Sequence, residues 1–137
     1  FVVAGLDKRF DWSGGSPAWL QFVGLGLALA GNGLVTWSMV ANSFFAFSVR
    51  LQPERGQTVA TGGPYGVVRH PGYAGASLLA LGTALVLDST WSLVPALVSV
   101  GLLAVRTALE DRTLRAELEG YTDYTRRTKY RLLPGIW

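Results

Sequence analysis

Apolar residues run through this chain in long blocks that short polar segments interrupt. No charged residue occurs between Asp11 and Arg50, between Arg69 and Asp88, or between Asp88 and Arg106, with His70 taken as neutral. A bilayer core about 30 Å thick demands roughly 17–25 apolar residues of a crossing helix. The blocks therefore predict membrane spans over 17–40, 72–87 and 90–105. Pro17 suits a first helical turn, and Trp12 and Trp19 suit an interfacial belt. The first block reaches Val49, further than one crossing needs. One long helix is expected rather than a hairpin broken at Gly31–Gly33, because each arm would hold only about 15 residues, short for a span.

Between the blocks, residues 50–71 are rich in Gly, Thr and Pro and lack a sustained helical period, which predicts a polar loop. The polar break Asp88–Thr90 predicts a tight antiparallel helical turn. Good helix formers continue from Arg106 to Glu119, with Gly120 as a cap, so the third helix is expected to run on beyond the membrane. The tail from Tyr121 is aromatic and basic, suited to a membrane surface. With three crossings, the loop and everything after Val105 share one side. That side carries Arg50, Arg55, Arg69, Arg106, Arg112, Arg115, Arg126, Arg127, Lys129 and Arg131, ten of the twelve basic residues. The positive-inside rule then puts the loop 50–71 and the helix and tail 106–137 in the cytosol. The expected architecture is an all-α, multi-pass integral membrane protein. It is a single domain over 1–137, with a cytosolic site built by a loop and the C-terminal helix and tail. Because the chain starts at Phe1, further helices are expected upstream.

Composition narrows the chemistry. Only 15% of residues are charged, against about 25% in a soluble domain. The absence of cysteine removes disulfides, thiolate ligands and cysteine nucleophiles, and one histidine cannot build a multi-histidine zinc site, so no metal is expected. A basic cluster this close to a membrane suits anionic lipid heads better than nucleic acid.

Arg69, His70, Pro71 and Tyr73 stand first among candidates for chemistry. An Arg–His pair at the mouth of a transmembrane helix costs desolvation unless partnered. It either serves a site, or Arg69 snorkels to lipid phosphates while His70 caps the helix. Arg106 and Glu110 share a helix face at i, i+4, as a site pair or as an ordinary surface pair. Asp111, about 100° further round, is expected to be solvated. Gly62–Tyr65 reads as a tight turn. Gly24, Gly26, Ala28 and Ala30 are expected at a close helix contact.

Taken together, "QTVATGGPYGVVRHPGY" at Gln57–Tyr73, "RTALED" at Arg106–Asp111, the "LEGYTDY" segment ending at Tyr124, and the basic stretch before Pro134 resemble a family. The resemblance is to isoprenylcysteine carboxyl methyltransferases and their bacterial relatives, which share a membrane fold with phospholipid methyltransferases. It covers roughly residues 50–137. It implies an S-adenosyl-L-methionine-dependent methyltransferase acting at the cytosolic membrane face on a membrane lipid or a prenylated, hydrophobic acceptor. The methyl would go to a carboxyl oxygen or an amine nitrogen. By the family pattern Gln57, Thr58, Val59 and Ala60 line the cofactor pocket with Tyr65. His70, Pro71, Gly72 and Tyr73 form its second wall, Glu110 binds the cofactor, and Arg106 faces the acceptor. Arg106, Glu110 and His70 are the implied catalytic residues. Gln57 stands where many members have histidine, and Asp111 where relatives carry a second glutamate. Two other readings stand beside this one. One is an NADPH oxidoreductase resembling membrane sterol reductases, whose C-terminal parts end in a similar tyrosine–basic–proline–aromatic pattern. The other is a non-catalytic membrane module that holds lipids or a partner through its basic tail.

Overall fold

The computed structural model describes residues 1–45 and 56–137; the predicted loop 50–71 begins outside them. Every regular element among the described residues is helical, in agreement with the all-α expectation. The order is α1 (Val2–Phe10), α2 (Ala18–Ala41), a 3₁₀ turn (Gly63–Gly66), α3 (Pro71–Val86), a second 3₁₀ turn (Thr90–Ser92), α4 (Leu93–Glu117) and α5 (Tyr121–Arg127). At 1.5 Å per residue, the 24 residues of α2 and the 25 of α4 exceed the thickness of a bilayer core. Length alone does not separate a membrane helix from a soluble core helix; burial does. Only 11% of the most apolar stretch of α2 and 17% of that of the helix ending at Glu117 lie inside the protein. Trp19, Phe22, Leu29, Leu97, Val98 and Leu102 are all exposed. Water would not tolerate such faces, whereas lipid would. The protein is membrane-associated.

The chain divides into two compact units, residues 1–33 with 75–103, and residues 34–74 with 104–137. In the first unit α2 and α3 approach backbone to backbone. A Cβ added to Gly31 would lie 2.5 Å from the carbonyl oxygen of Gly75 and the amide nitrogen of Leu79. One added to Gly82 would lie 2.5 Å from the amide nitrogen of Ala28. Gly24, Ala28 and Gly31 are spaced i, i+4, i+7, so they form one stripe on α2. Gly26, expected at this seam, meets nothing within 4 Å, and Ala30 is exposed. Both fall off the stripe by the helical period. In a bilayer, packing rather than water exclusion joins helices, and small residues admit the close approach. Gly31–Gly33 does not interrupt α2, which runs on to Ala41.

The same unit ties α1 to the turn after α3. Asp7 is 2% exposed. It accepts hydrogen bonds from the Ser13 amide at 2.9 Å, from the Ser13 hydroxyl at 2.6 Å and from the Ser89 hydroxyl. These hydrogen bonds, Ser13's first, hold its carboxyl below the ordinary range. Asp88 sits in the left-handed region (φ 50°) and pairs with Lys8 while accepting from both groups of Ser16.

In the second unit the tail is fastened to the segment before α3. The amide of Arg69 donates to the Tyr130 carbonyl and that of His70 to the Arg131 carbonyl, each at 2.9 Å. The hydroxyls of Tyr124 and Thr128 both donate to the Tyr65 carbonyl, at 2.7 and 3.3 Å. Gly120, in the left-handed region at φ 79°, turns the chain between α4 and α5.

Candidate functional site

Pro71 opens α3 where its missing N–H costs nothing, which puts His70 just before the helix and Tyr73 in its first turn. Arg106 and Glu110 lie one helical turn apart on α4. The Tyr73 hydroxyl sits between them, donating to Glu110 Oε2 at 2.6 Å and accepting from Arg106 Nε at 2.9 Å. The Arg106 guanidinium carbon is 5.4 Å from the Tyr73 ring centroid, within cation–π range. His70 lies parallel to Tyr73 (10°, centroids 5.9 Å apart), and its Nδ1 is 3.9 Å from Glu110 Oε1. His70, Tyr73, Arg106 and Glu110 therefore form one cluster. Its carboxylate is neither buried nor free in water, with the Glu110 side chain 21% exposed.

Behind this cluster lies a second one that the sequence reading missed. Asp111, expected to be solvated, is 1% exposed and stands at its centre. Its Oδ1 accepts from Arg69 Nε at 2.7 Å and from the Tyr121 hydroxyl at 3.0 Å. Its Oδ2 accepts from Arg69 Nη2 at 3.3 Å, Arg115 Nε at 3.2 Å and Arg131 Nε at 3.1 Å. Arg69 is equally enclosed, and its Nη1 also donates to the Thr128 and Lys129 carbonyls. It does not snorkel. The correction has a physical cause: the chain folds back so that loop, helix and tail surround the α4 face carrying Asp111. A signal was present in the sequence. Arg115 follows Asp111 at i+4 on the same helix face.

Burial raises the hydroxyls of Tyr65, Tyr121 and Tyr124 above the ordinary tyrosine range. The Tyr124 hydroxyl is pushed up to about 12, chiefly by loss of solvent. Burial and then the Asp111 charge raise Tyr121 further, and burial also raises Tyr65.

The other expected cofactor contacts are more dispersed. Gln57 is half-buried, Thr58 exposed, and Val59 and Ala60 half-buried. Val59 lines a groove of about 620 Å³ with Gly66, Glu119, Asp123 and Arg127; His70, Tyr73 and Glu110 are not among its walls. Tyr65 is buried, with its hydroxyl 3.4 Å from both the Asn42 amide and the Ser38 carbonyl. Pro71 and Gly72 are buried as well. A Cβ on Gly72 would lie 2.9 Å from the Phe45 ring, so this glycine lets an aromatic side chain close over the start of α3.

A family model described as phospholipid methyltransferase matches residues 19–118, most of the chain. The match takes in His70, Tyr73, Arg106, Glu110 and Asp111. No curated protein matches the chain.

Proposed function

The chain belongs to the phospholipid methyltransferase family, and from that premise we propose that it transfers a methyl group from S-adenosyl-L-methionine to a lipid-like or prenylated acceptor. In this reading it crosses the membrane three times and works at the cytosolic face. The bias of basic residues toward the loop and tail supports that orientation.

The observation that carries the proposal is the Tyr73 hydroxyl bridging Arg106 and Glu110 at the end of an apolar helix. When bound, the cofactor supplies an electrophilic methyl on a sulfonium. The residues present fit that group. Glu110 offers a partly desolvated carboxylate, an environment a compact cation prefers, and the Tyr73 hydroxyl fixes its position. Glu110, Tyr73 and His70 would hold the cofactor, with Gln57, Thr58, Val59, Ala60, Tyr65, Pro71 and Gly72 forming its surroundings. Arg106, the cation of the cluster, would hold an anionic group of the acceptor. An ammonium acceptor must lose a proton before it can react, and His70 and Glu110 are the groups able to take it. No metal and no covalent enzyme intermediate enter this reading. Catalysis is mainly the alignment and desolvation of the two reactants as they bind.

Two measurements test it. Isothermal titration with S-adenosylhomocysteine should show binding to the wild-type protein and a clear loss for Glu110→Ala; equal affinities would remove Glu110 from the cofactor site. Membranes incubated with methyl-labelled cofactor should yield labelled lipid. Release of that label by mild alkali marks an ester, and retention marks an N-methyl product. Failure to label any lipid-soluble product would refute the proposal. No observation favours a nicotinamide-dependent reductase or a non-catalytic module.

A further inference from the structure

His70 is the single histidine of the chain, and its side chain is 4% exposed. The titratable groups around it come from three helices: Tyr73 on α3, Glu110 and Asp111 on α4, and Tyr121 on α5, with Arg69 preceding it. Its two nitrogens face different company. Nε2 lies 3.4 Å from the Tyr121 hydroxyl and 3.6 Å from Asp111 Oδ1, whereas Nδ1 lies 3.9 Å from Glu110 Oε1.

Donor accounting decides which nitrogen carries the proton. The Tyr121 hydroxyl has one hydrogen, and it is 3.0 Å from a buried carboxylate oxygen. An ionised carboxylate outcompetes a neutral imidazole nitrogen for that hydrogen. The hydroxyl therefore turns lone pairs toward Nε2, and Nε2 must be the donor. The Asp111 carboxylate itself argues the same way. A lone pair on Nε2 would face Oδ1 across 3.6 Å of solvent-free space. Glu110 favours the opposite arrangement, but it is further away and 21% exposed against 1% for Asp111. Its other oxygen is also taken up by Tyr73. Water screens the Glu110 side and not the Asp111 side.

We infer that Asp111 and Tyr121 are positioning residues that hold neutral His70 as its Nε2–H tautomer, which leaves Nδ1 as a proton acceptor on the Glu110 side. The consequence for catalysis rests on the methyltransferase reading. With an ammonium acceptor, the proton passes from the acceptor nitrogen to His70 Nδ1 while the electron pair stays on that nitrogen. The resulting imidazolium lies between the Glu110 and Asp111 carboxylates.

Selective ¹⁵N labelling of histidine in the full chain, reconstituted in lipid nanodiscs, gives one pair of imidazole nitrogens. Long-range nitrogen–proton correlations report which of them is protonated. The wild-type ring, at a pH where titration shows it neutral, is expected to show a protonated Nε2 and a bare Nδ1. The double variant Asp111→Asn/Tyr121→Phe, which removes both the charge and the hydroxyl facing Nε2, should mix the tautomers, and Arg115→Gln, which removes a donor to Oδ2 only, should leave them alone. A wild-type ring that carries its proton on Nδ1, that is already mixed, or that stays doubly protonated wherever the protein is folded overturns the inference. So does an unchanged ring in the double variant. Because the wild-type spectrum decides by itself, a variant that fails to fold does not protect the idea. S-adenosylhomocysteine binding is measured separately. A protein that fails to bind it while showing the expected tautomer defeats the enzymatic reading and leaves this assignment standing.

Discussion

Replacing Asp111 with alanine removes the counter-charge of an enclosed guanidinium. Arg69 and Asp111 are 3% and 1% exposed, so solvent offers almost no relief. Stranding one partner of a buried pair costs about 3–5 kcal/mol. The Tyr121 hydroxyl also loses its close acceptor, a further loss of about 1–3 kcal/mol if the group stays dry. Arg69 keeps its hydrogen bonds to the Thr128 and Lys129 carbonyls, which offsets part of this. Arg115 and Arg131 are 44% and 29% exposed; freed into water, they add less than about 1 kcal/mol each. The expected destabilisation is about 4 kcal/mol. It can be read by equilibrium unfolding in mixed micelles under sodium dodecyl sulfate titration, followed by tryptophan fluorescence. The double variant Arg69→Met/Asp111→Ala is the sharper test. With no charge left to strand, it should be more stable than Asp111→Ala alone. Destabilisation of Asp111→Ala below about 1 kcal/mol, or a double variant as unstable as the summed single ones, would refute the account.

Other expectations follow from the same geometry. Gly31→Ala and Gly82→Ala should each destabilise by roughly 1–3 kcal/mol, because the new methyl meets backbone at 2.5 Å. Gly26→Ala, with open space around it, should be close to neutral in the same titration. Tyr73→Phe should weaken S-adenosylhomocysteine binding by roughly ten-fold, about 1.4 kcal/mol, and Arg106→Ala should raise the acceptor KM while leaving that affinity alone; the reverse pattern would exchange the two roles. Asp7 and Asp88 are held below the ordinary carboxylate range. Ser13 and Ser89 hydroxyls act on Asp7, and Lys8 and then Ser16 act on Asp88. Their folded values lie below their unfolded ones, so their contribution is complete above about pH 5 and is lost as the pH falls toward the folded values. Hydrogen exchange at the Ser13 and Ser16 amides should quicken over that acid range relative to amides in the middle of α2, and unchanged protection would count against it.

How much of the site could be read from the chain depends on how local the cause is. Arg106 and Glu110 sit four residues apart on a helix, so their shared face followed from the helical repeat, as did the helix-opening role of Pro71. The Gly24–Ala28–Gly31 stripe follows from the same repeat, yet the sequence reading picked Gly26 and Ala30 beside it, because nothing local says which face of an all-apolar helix meets a neighbour. Asp111 was misjudged for the opposite reason. Beside Glu110 on an outgoing helix it looks like any solvent-facing carboxylate, and its burial comes from Arg69, Tyr121 and Arg131, which are up to 42 residues away in sequence.

By itself the sequence determined that this is an all-helical, membrane-associated chain of the phospholipid methyltransferase family. Apolar length, charge placement and linear motifs are properties of the chain whatever its fold. The tertiary structure alone decided that Tyr73 joins Arg106 to Glu110, that the basic tail grips Arg69 and His70 through its backbone, and that Asp111 is enclosed. Burial and hydrogen-bond partners depend on which distant segments come within about 3 Å of each other, and no local pattern of residues carries that distance.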